Sequence, residues 1–340
     1  MTMDPLRPRV SIVMSVHNCE KYLPAAIESI LSQSFRDFEF VIIDSGSTDG
    51  SAEIMRRYDD PRIVFCREKR SPMAATLNKG VSIARGEYIG RMDADDISLP
   101  LRLEKEVSFL DAHPDVGIVG SWAANITEDG EDLCVIEMPA DDTAARTLLQ
   151  SDSPFFHGAV MFRKSIFSRC GGYPTDITIE DWVLWHRFAA HSRLANIPEV
   201  LYKYRMRPSG AAARTRREIR KLNRIMQDYL HGIQLSEEDL QFARFLQTAG
   251  VTRRQVASYW LGCGILCLAK NHDRVRARRF ISKSIAAYPL SSRGVAYFVC
   301  TFLPSRAMAF LWATKRSLAN MPTASFKKIS TRMQKWLGQI

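Results

Sequence analysis

No stretch of this 340-residue chain stays apolar for the roughly 20 residues that a membrane-crossing helix needs. "VASYWLGCGILCLA" (256–269) is too short, and "VAYFVCTFLPSRAMAFLWATKR" (295–316) is broken by Pro304 and Arg306, so no transmembrane span is expected. The opening "MTMDPLRPR" lacks the apolar h-region of a secretory signal. The seven cysteines are odd in number and scattered, which argues against a disulfide framework. Cys263 and Cys267 can share a helix face, but no histidine pair accompanies them, so no zinc site is expected. What remains is a set of reduced thiols in a cytoplasmic protein. There is no Walker glycine–lysine loop and no G-x-G-x-x-G, so no backbone cradle for phosphate is apparent. Acid is scarce at one end: from residue 241 onward Asp273 alone stands against seventeen Lys and Arg.

That scarcity is half of an asymmetry. Residues 1–210 carry 24 Lys/Arg against 31 Asp/Glu, and residues 211–340 carry 23 against six. The net charge of +10 therefore hides an acidic first part and a strongly basic second, which points to two units with different partners. An apolar fraction of 46% allows a substantial core, and nothing in the composition suggests bulk disorder.

Strands and helices alternate through the first part. "RVSIVMSV" (9–16), "FEFVIID" (38–44), "RIVFCRE" (62–68), "EYIGRMD" (87–93) and "VGIVGSWAANI" (116–126) read as strands. Apolar residues at helical spacing fall between them, at 22–34, 51–60, 74–86 and 100–114, with Gly86 expected to close the third helix. Short connections of this kind imply right-handed crossovers and a mostly parallel, Rossmann-like α/β sheet with helices on both faces. Ligands on such sheets sit at the carboxyl ends of the strands. Three polar clusters fall on that edge: Ser15–Asn18, Asp44–Asp49 and Asp93–Asp96.

"GEYIGRMDADD" (86–96) is the most informative of these. A buried strand that ends in three aspartates is costly unless something cationic compensates them. Asp93 and Asp95 are two residues apart, so strand alternation puts both on one side. Two hard oxygen ligands suit Mg²⁺ or Mn²⁺, with substrate phosphates completing the shell. An acidic solvent loop is the alternative. A second acidic pair, Glu180–Asp181, opens the helix in "EDWVLWHRF" and suits either a helix N-terminus or general-base chemistry.

Four motifs in order and spacing carry a resemblance: "VSIVMSVHNCEKYLPAAIESILSQSFRDFEFVIIDSGSTDGS", "NKGVSIARGEYIGRMDADDISLPLRL", "HGAVMFRKSIF" and "EDWVLWHRF". Over about residues 9–208 the chain resembles a family 2 glycosyltransferase with the GT-A fold, of the bacterial polysaccharide type. The resemblance implies an inverting, metal-dependent sugar transfer from a nucleotide diphosphate sugar to a glycan or lipid-linked acceptor. It implies donor contacts from Ser15, His17, Asn18, Asp44, Ser45, Arg67, Asn78 and Asp93. Two of these depart from the usual pattern: His17 stands where tyrosine is usual, and Ser45 where a second acid is found in some members. Metal ligation falls to Asp93 and Asp95, with a UDP-sugar as the default donor. Asp181 becomes the general base, with Glu180 beside it. Asp96, His157, Trp182, Arg205 and Arg207 become candidates for acceptor or phosphate contact. Arg207 replaces a histidine common in the family; it cannot bind a metal but can pair with phosphate.

The resemblance implies a GT-A domain over 1–212, with a donor half at about 9–120 and an acceptor half at about 121–210. Helices are expected from 213 to 340, at 215–232, 236–249, 252–270, 273–287 and 292–319. They form either a bundle resembling tetratricopeptide-like pairs or a basic face lying on an anionic membrane, which would hold the protein at the inner face of the cell membrane. No nucleic-acid recognition motif accompanies the charge, and no nucleic-acid partner is expected. Two other classes compete. A non-catalytic scaffold that binds nucleotide sugars sits poorly with two intact acid constellations. A nucleotidyltransferase would carry a glycine-rich basic loop after the first strand, and "SVHNCEKYL" has none.

Overall fold

A computed structural model of the chain describes residues 7–302 except 178, 209–215, 249–250, 271–272 and 290–291. The first units follow the expected alternation: β1 (Val10–Val16), α1 (Leu23–Leu31), β2 (Phe38–Ser45), α2 (Ser51–Arg56), β3 (Ile63–Glu68), α3 (Met73–Ile83), β4 (Tyr88–Asp93), β5 (Ile97–Ser98), α4 (Arg102–Ala112) and β6 (Val116–Ile126). β2 is buried along its whole length and β1 along all but Ser15, as mostly apolar runs demand when both faces are covered, with Ser11 and Glu39 bonded to each other. Val13, Val41 and Ile43 pack on one face, and Ile12, Met14, Phe40 and Ile42 on the other.

Beyond β6 come β7 (Asp132–Ile136), α5 (Asp142–Leu149), a single 3₁₀ turn at His157–Ala159, β8 (Met161–Arg163), α6 (Lys164–Arg169), α7 (Glu180–His191) and β9 (Arg193–Arg205). The sheet runs β3-β2-β1-β4-β8-β6-β9-β5, with β7 paired to β6. Strands β3, β2, β1 and β4 are parallel, but β8 runs antiparallel to both β4 and β6. The mostly parallel sheet expected is realised in the first four strands and in the β6–β9 pair, and the sheet is mixed beyond the first four. The register matters most at the carboxyl edge. Ser15 is the direct partner of Asp93 across β1 and β4, and Val16 is the partner of Asp44 across β1 and β2.

Gly86 does not close α3. The helix ends with Ala84 as its cap, in an extended conformation. Gly86 serves a close approach instead: a Cβ there would lie 2.5 Å from the Ser11 backbone nitrogen.

Helices α8 (Arg216–Leu230), α9 (Glu237–Thr248), α10 (Arg253–Lys270), α11 (Arg274–Ala287) and α12 (Ser292–Cys300) follow. The expected continuation of the last helix to 319 falls outside the described residues. The chain divides into two compact units, Met1–Tyr259 and Trp260–Ile340. In the first, Leu222, Ile225 and Met226 of α8 are buried in the same core as Trp185 and Phe188. In the second, Trp260 stacks on Phe280 with ring centroids 5.7 Å apart, and Gly264 lets α10 approach Ile281 of α11. Among the described residues no helix is long and apolar enough to cross a membrane.

Candidate active site

The ends of β1 and β2 hold the residues expected at the nucleotide. Asp44 is fully buried; its Oδ1 accepts the Ser47 backbone N–H at 2.9 Å and its Oδ2 lies 3.1 Å from Arg67 Nε. Arg67 is thereby anchored while remaining half-exposed at the edge. His17 Nδ1 lies 3.0 Å from the Ser45 carbonyl, which fixes the ring over the β2 end. The Ser45 hydroxyl turns inward to Ser71, accepting its N–H at 3.0 Å. Asn18 adopts φ +50°, and its side-chain oxygen accepts the Thr48 N–H at 2.9 Å. Asn78 is used differently. Its amide spans the backbone of Tyr173, donating to the carbonyl at 2.8 Å and accepting the N–H at 2.9 Å, so α3 is tied to the turn before α7.

The acidic turn keeps strand-like alternation past the end of β4. Met92, Ala94, Asp96 and Ser98 are buried, whereas Asp93, Asp95 and Ile97 are partly exposed. Asp93 and Asp95 therefore share one side, as the spacing predicts. Asp93 Oδ1 accepts from Arg91 at 2.7 Å, and Asp95 Oδ2 pairs with Arg207 Nε at 2.6 Å. Asp96 accepts the Arg205 backbone N–H at 2.7 Å. Arg205 is itself committed: its guanidinium donates to the carbonyls of Asp95 at 2.6 Å and Glu128 at 3.0 Å. It braces the turn and is 7% exposed. Burial works against the charge on all three acids. For Asp93 the opposing pull of Arg91 wins and holds it below the usual carboxylate range. For Asp95 and Asp96 burial wins and both are pushed up, Asp96 with further repulsion from Asp95 and Asp93.

The acid pair lies on the same side of the molecule. Glu180 and Asp181 open α7, whose cap residue Ile179 makes no side-chain cap. Glu180 is 4% exposed; burial, then repulsion from Asp181, pushes it up to about 8. Asp181 is half-exposed and accepts the Trp182 N–H at 2.8 Å. Asp93 and Arg91 both act on Glu180, so the two acid constellations share one electrostatic field. His157 lies between them, its Nε2 2.9 Å from the Tyr173 hydroxyl. Burial, then Arg91, lowers it to about 4, so the ring is neutral at physiological pH. Trp182 was a candidate for acceptor or phosphate contact. Instead it is 8% exposed, with its indole N–H donated to the Leu149 carbonyl at 3.0 Å, and Trp185 is fully buried; both are core.

Five carboxylates (Asp93, Asp95, Asp96, Glu180 and Asp181) thus share two guanidiniums that pair with them, Arg91 and Arg207, while that of Arg205 is spent on backbone carbonyls. A surplus of buried acid, all hard oxygen, fits a divalent cation. Among the described residues no group of three or more His, Cys, Asp or Glu is arranged to hold a metal ion.

Sequence reasoning missed Arg91, Tyr173 and Tyr202. The signal for Arg91 was present: a lone cation inside the apolar strand "YIGRMD". Tyr202, buried under the acidic turn, is within 3.3 Å of the Asp93 backbone nitrogen and gave no local signal.

Comparison with known proteins agrees with this geometry. The model for "Glycosyl transferase family 2" matches residues 11–171. EpsE of Bacillus subtilis (strain 168), provisionally named a glycosyltransferase, is 37% identical over 206 residues, covering 58% of this chain and 73% of its own. The O-antigen biosynthesis glycosyltransferase WbnJ of Escherichia coli is 32% identical, covering 58% of this chain and 79% of its own. Among solved structures, the mannosyltransferase PcManGT of Pyrobaculum calidifontis, in complex with GDP-Man and Mn²⁺, superimposes with a TM-score of 0.52 at 21% identity, over 93% of this chain and 89% of that one. The fold is thus the GT-A type that the motifs imply. With more than two thirds of EpsE and WbnJ matched at over 30% identity, the chain belongs to glycosyl transferase family 2 and is a glycosyltransferase.

Proposed function

We propose that the protein transfers a sugar, with inversion, from a nucleoside diphosphate sugar to a hydroxyl of a glycan or lipid-linked acceptor in cell-surface polysaccharide synthesis. The observation that carries this reading is the meeting of two acid constellations: Asp93, Asp95 and Asp96 on one side and Glu180–Asp181 on the other, with Arg91 acting on both. Mg²⁺ or Mn²⁺ held at Asp93 and Asp95 would supply the charge that makes the diphosphate a leaving group. The acceptor oxygen attacks the anomeric carbon and its proton passes to Asp181. The carbon–oxygen bond to the diphosphate breaks, and its electron pair leaves with the phosphate. Glu180, at about 8, keeps its proton at neutral pH and leaves Asp181 as the base. His17, Ser15, Asn18, Asp44 and Arg67 would line the nucleotide. Work on an O-antigen by the relative WbnJ supports the polysaccharide assignment. The basic residues of 211–340 would draw the protein to an anionic leaflet where a lipid-linked acceptor lies.

The test is release of nucleoside diphosphate from UDP-, GDP- and dTDP-sugars with and without Mn²⁺. Asp181→Asn is expected to bind the donor and lose turnover by about a hundredfold or more. Asp95→Ala is expected to lose the dependence on metal together with activity. Full turnover in either variant overturns the corresponding assignment.

A further inference from the structure

Arg205 and Arg207 sit two residues apart and are spent in opposite ways. Arg205 is buried, and its guanidinium is used up on backbone carbonyls. Among the described residues Arg207 has no such backbone anchor. Its guanidinium meets one carboxylate oxygen there, Asp95 Oδ2, at 2.6 Å, and its side chain remains 32% exposed. The Tyr22 ring lies 5.9 Å from it and 4.9 Å from Arg205, so one aromatic surface flanks both cations. The Asp95 side chain is 15% exposed, and the oxygen that Arg207 occupies is one that a divalent cation would need.

Resting on the reading of Asp93 and Asp95 as metal-binding acids, we propose that Arg207 is a resident counter-ion. It neutralises Asp95 in the substrate-free protein and moves to the donor diphosphate when a divalent cation is bound at Asp95. Two features carry this. A desolvated carboxylate is costly without a partner, so Asp95 needs a cation before substrate arrives. And a guanidinium suits a diphosphate as well as it suits a carboxylate, so Arg207 loses little in the exchange when the donor is present and much when it is absent. The consequence is coupling: the metal binds weakly by itself and strongly with the donor, so the site does not fill with metal in the absence of substrate.

The test uses the full-length protein and Arg207→Met, a change at a partly exposed position that preserves much of the aliphatic stem. Mn²⁺ alone is measured by equilibrium dialysis, and UDP, GDP and dTDP are titrated calorimetrically in saturating Mn²⁺. Arg207→Met is expected to bind Mn²⁺ alone about tenfold more tightly and to bind the nucleoside diphosphate about tenfold more weakly, each the size of one charge-assisted hydrogen bond. Opposite signs are the signature, because a merely structural arginine would weaken both. Unchanged or weaker Mn²⁺ binding by the variant, with wild type still taking up Mn²⁺ and nucleotide together, overturns the inference and leaves the metal assignment standing. Tighter Mn²⁺ with unchanged nucleotide affinity overturns the transfer to the diphosphate. If wild type takes up no Mn²⁺ with any of the three nucleotides, the metal assignment itself falls, and the inference with it.

Discussion

Gly158 lies against Asp93 so closely that a methyl group on it would stand 2.7 Å from Asp93 Oδ2 and 2.0 Å from the Tyr202 hydroxyl. The loop that carries His157 therefore touches the acidic turn directly, and only glycine allows it. Gly158→Ala is expected to cost about 1–3 kcal/mol of stability, because buried side chains must give way. It is expected to lower turnover at least tenfold, since a shift of about 1 Å at the reacting groups is expensive. Measured unfolding and nucleoside diphosphate release check both parts. A variant with wild-type turnover would show that the loop and Asp93 need not meet.

Asn78 was a nucleotide candidate, yet both ends of its amide are occupied by Tyr173. Asn78→Ala is expected to destabilise the fold by about 1–3 kcal/mol, the cost of unpaired backbone groups. Turnover should fall as the Tyr173–His157 contact loosens, while calorimetric affinity for nucleoside diphosphate stays within about twofold. A large loss of nucleotide affinity with stability intact would return Asn78 to the donor pocket.

Trp182 gives a similar separation of roles. Trp182→Phe removes an indole N–H from a buried carbonyl and some packed volume, at about 1–3 kcal/mol. The acceptor KM is expected to remain unchanged. A raised KM without a stability loss would mean that the ring faces sugar after all.

Glu39 of β2 supplies a pH dependence far from the site. It is buried and accepts from the Ser11 hydroxyl at 2.6 Å, the Arg85 backbone at 2.6 Å and the Arg85 guanidinium at 2.8 Å. Burial pushes it up, but these three bonds outweigh burial and hold it below its ordinary value of 4.5. A carboxylate depressed in the folded state stabilises the protein above that value, and the stabilisation is lost as pH falls through the folded pKa. Glu39→Gln is expected to cost about 1.5–3 kcal/mol at neutral pH, and the gap from wild type should shrink on acidification to about pH 3. Denaturant unfolding at the two pH values measures it; a gap independent of pH would remove the charge from the explanation.

The parts of the fold that were legible share a cause. β1, β2 and β4 are mostly apolar runs that end in polar residues, and the sheet edge follows from them by topology alone. β5 was not legible because two residues carry no period. The antiparallel course of β8 was hidden because three residues, Met161–Arg163, say nothing about direction; that is set by where β4 and β6 leave room. In the site, Asp93, Asp95, Glu180 and Asp181 announced themselves as acids at element ends. The uses of Asn78, Arg205 and Trp182 did not, because each depends on a partner 33 to 110 residues away. A polar side chain shows that a bond will be made, but not with which partner.

The pairing of β4 with β8 also bears on synthesis. Until residues 161–163 have been made, β4 is flanked by β1 alone and stands as an open strand edge, the kind of surface on which nascent chains stick to one another. Charge at the end of such a strand discourages that pairing, and β4 carries Arg91 and Asp93 at its end, with Asp95 and Asp96 in the turn that follows. Ribosome-stalled chains ending before residue 161 should therefore aggregate more readily when these acids are replaced by serine, whereas chains released after 205 should be indifferent to the change. On this view the acids proposed to handle the leaving group serve first as a guard for the half-made chain.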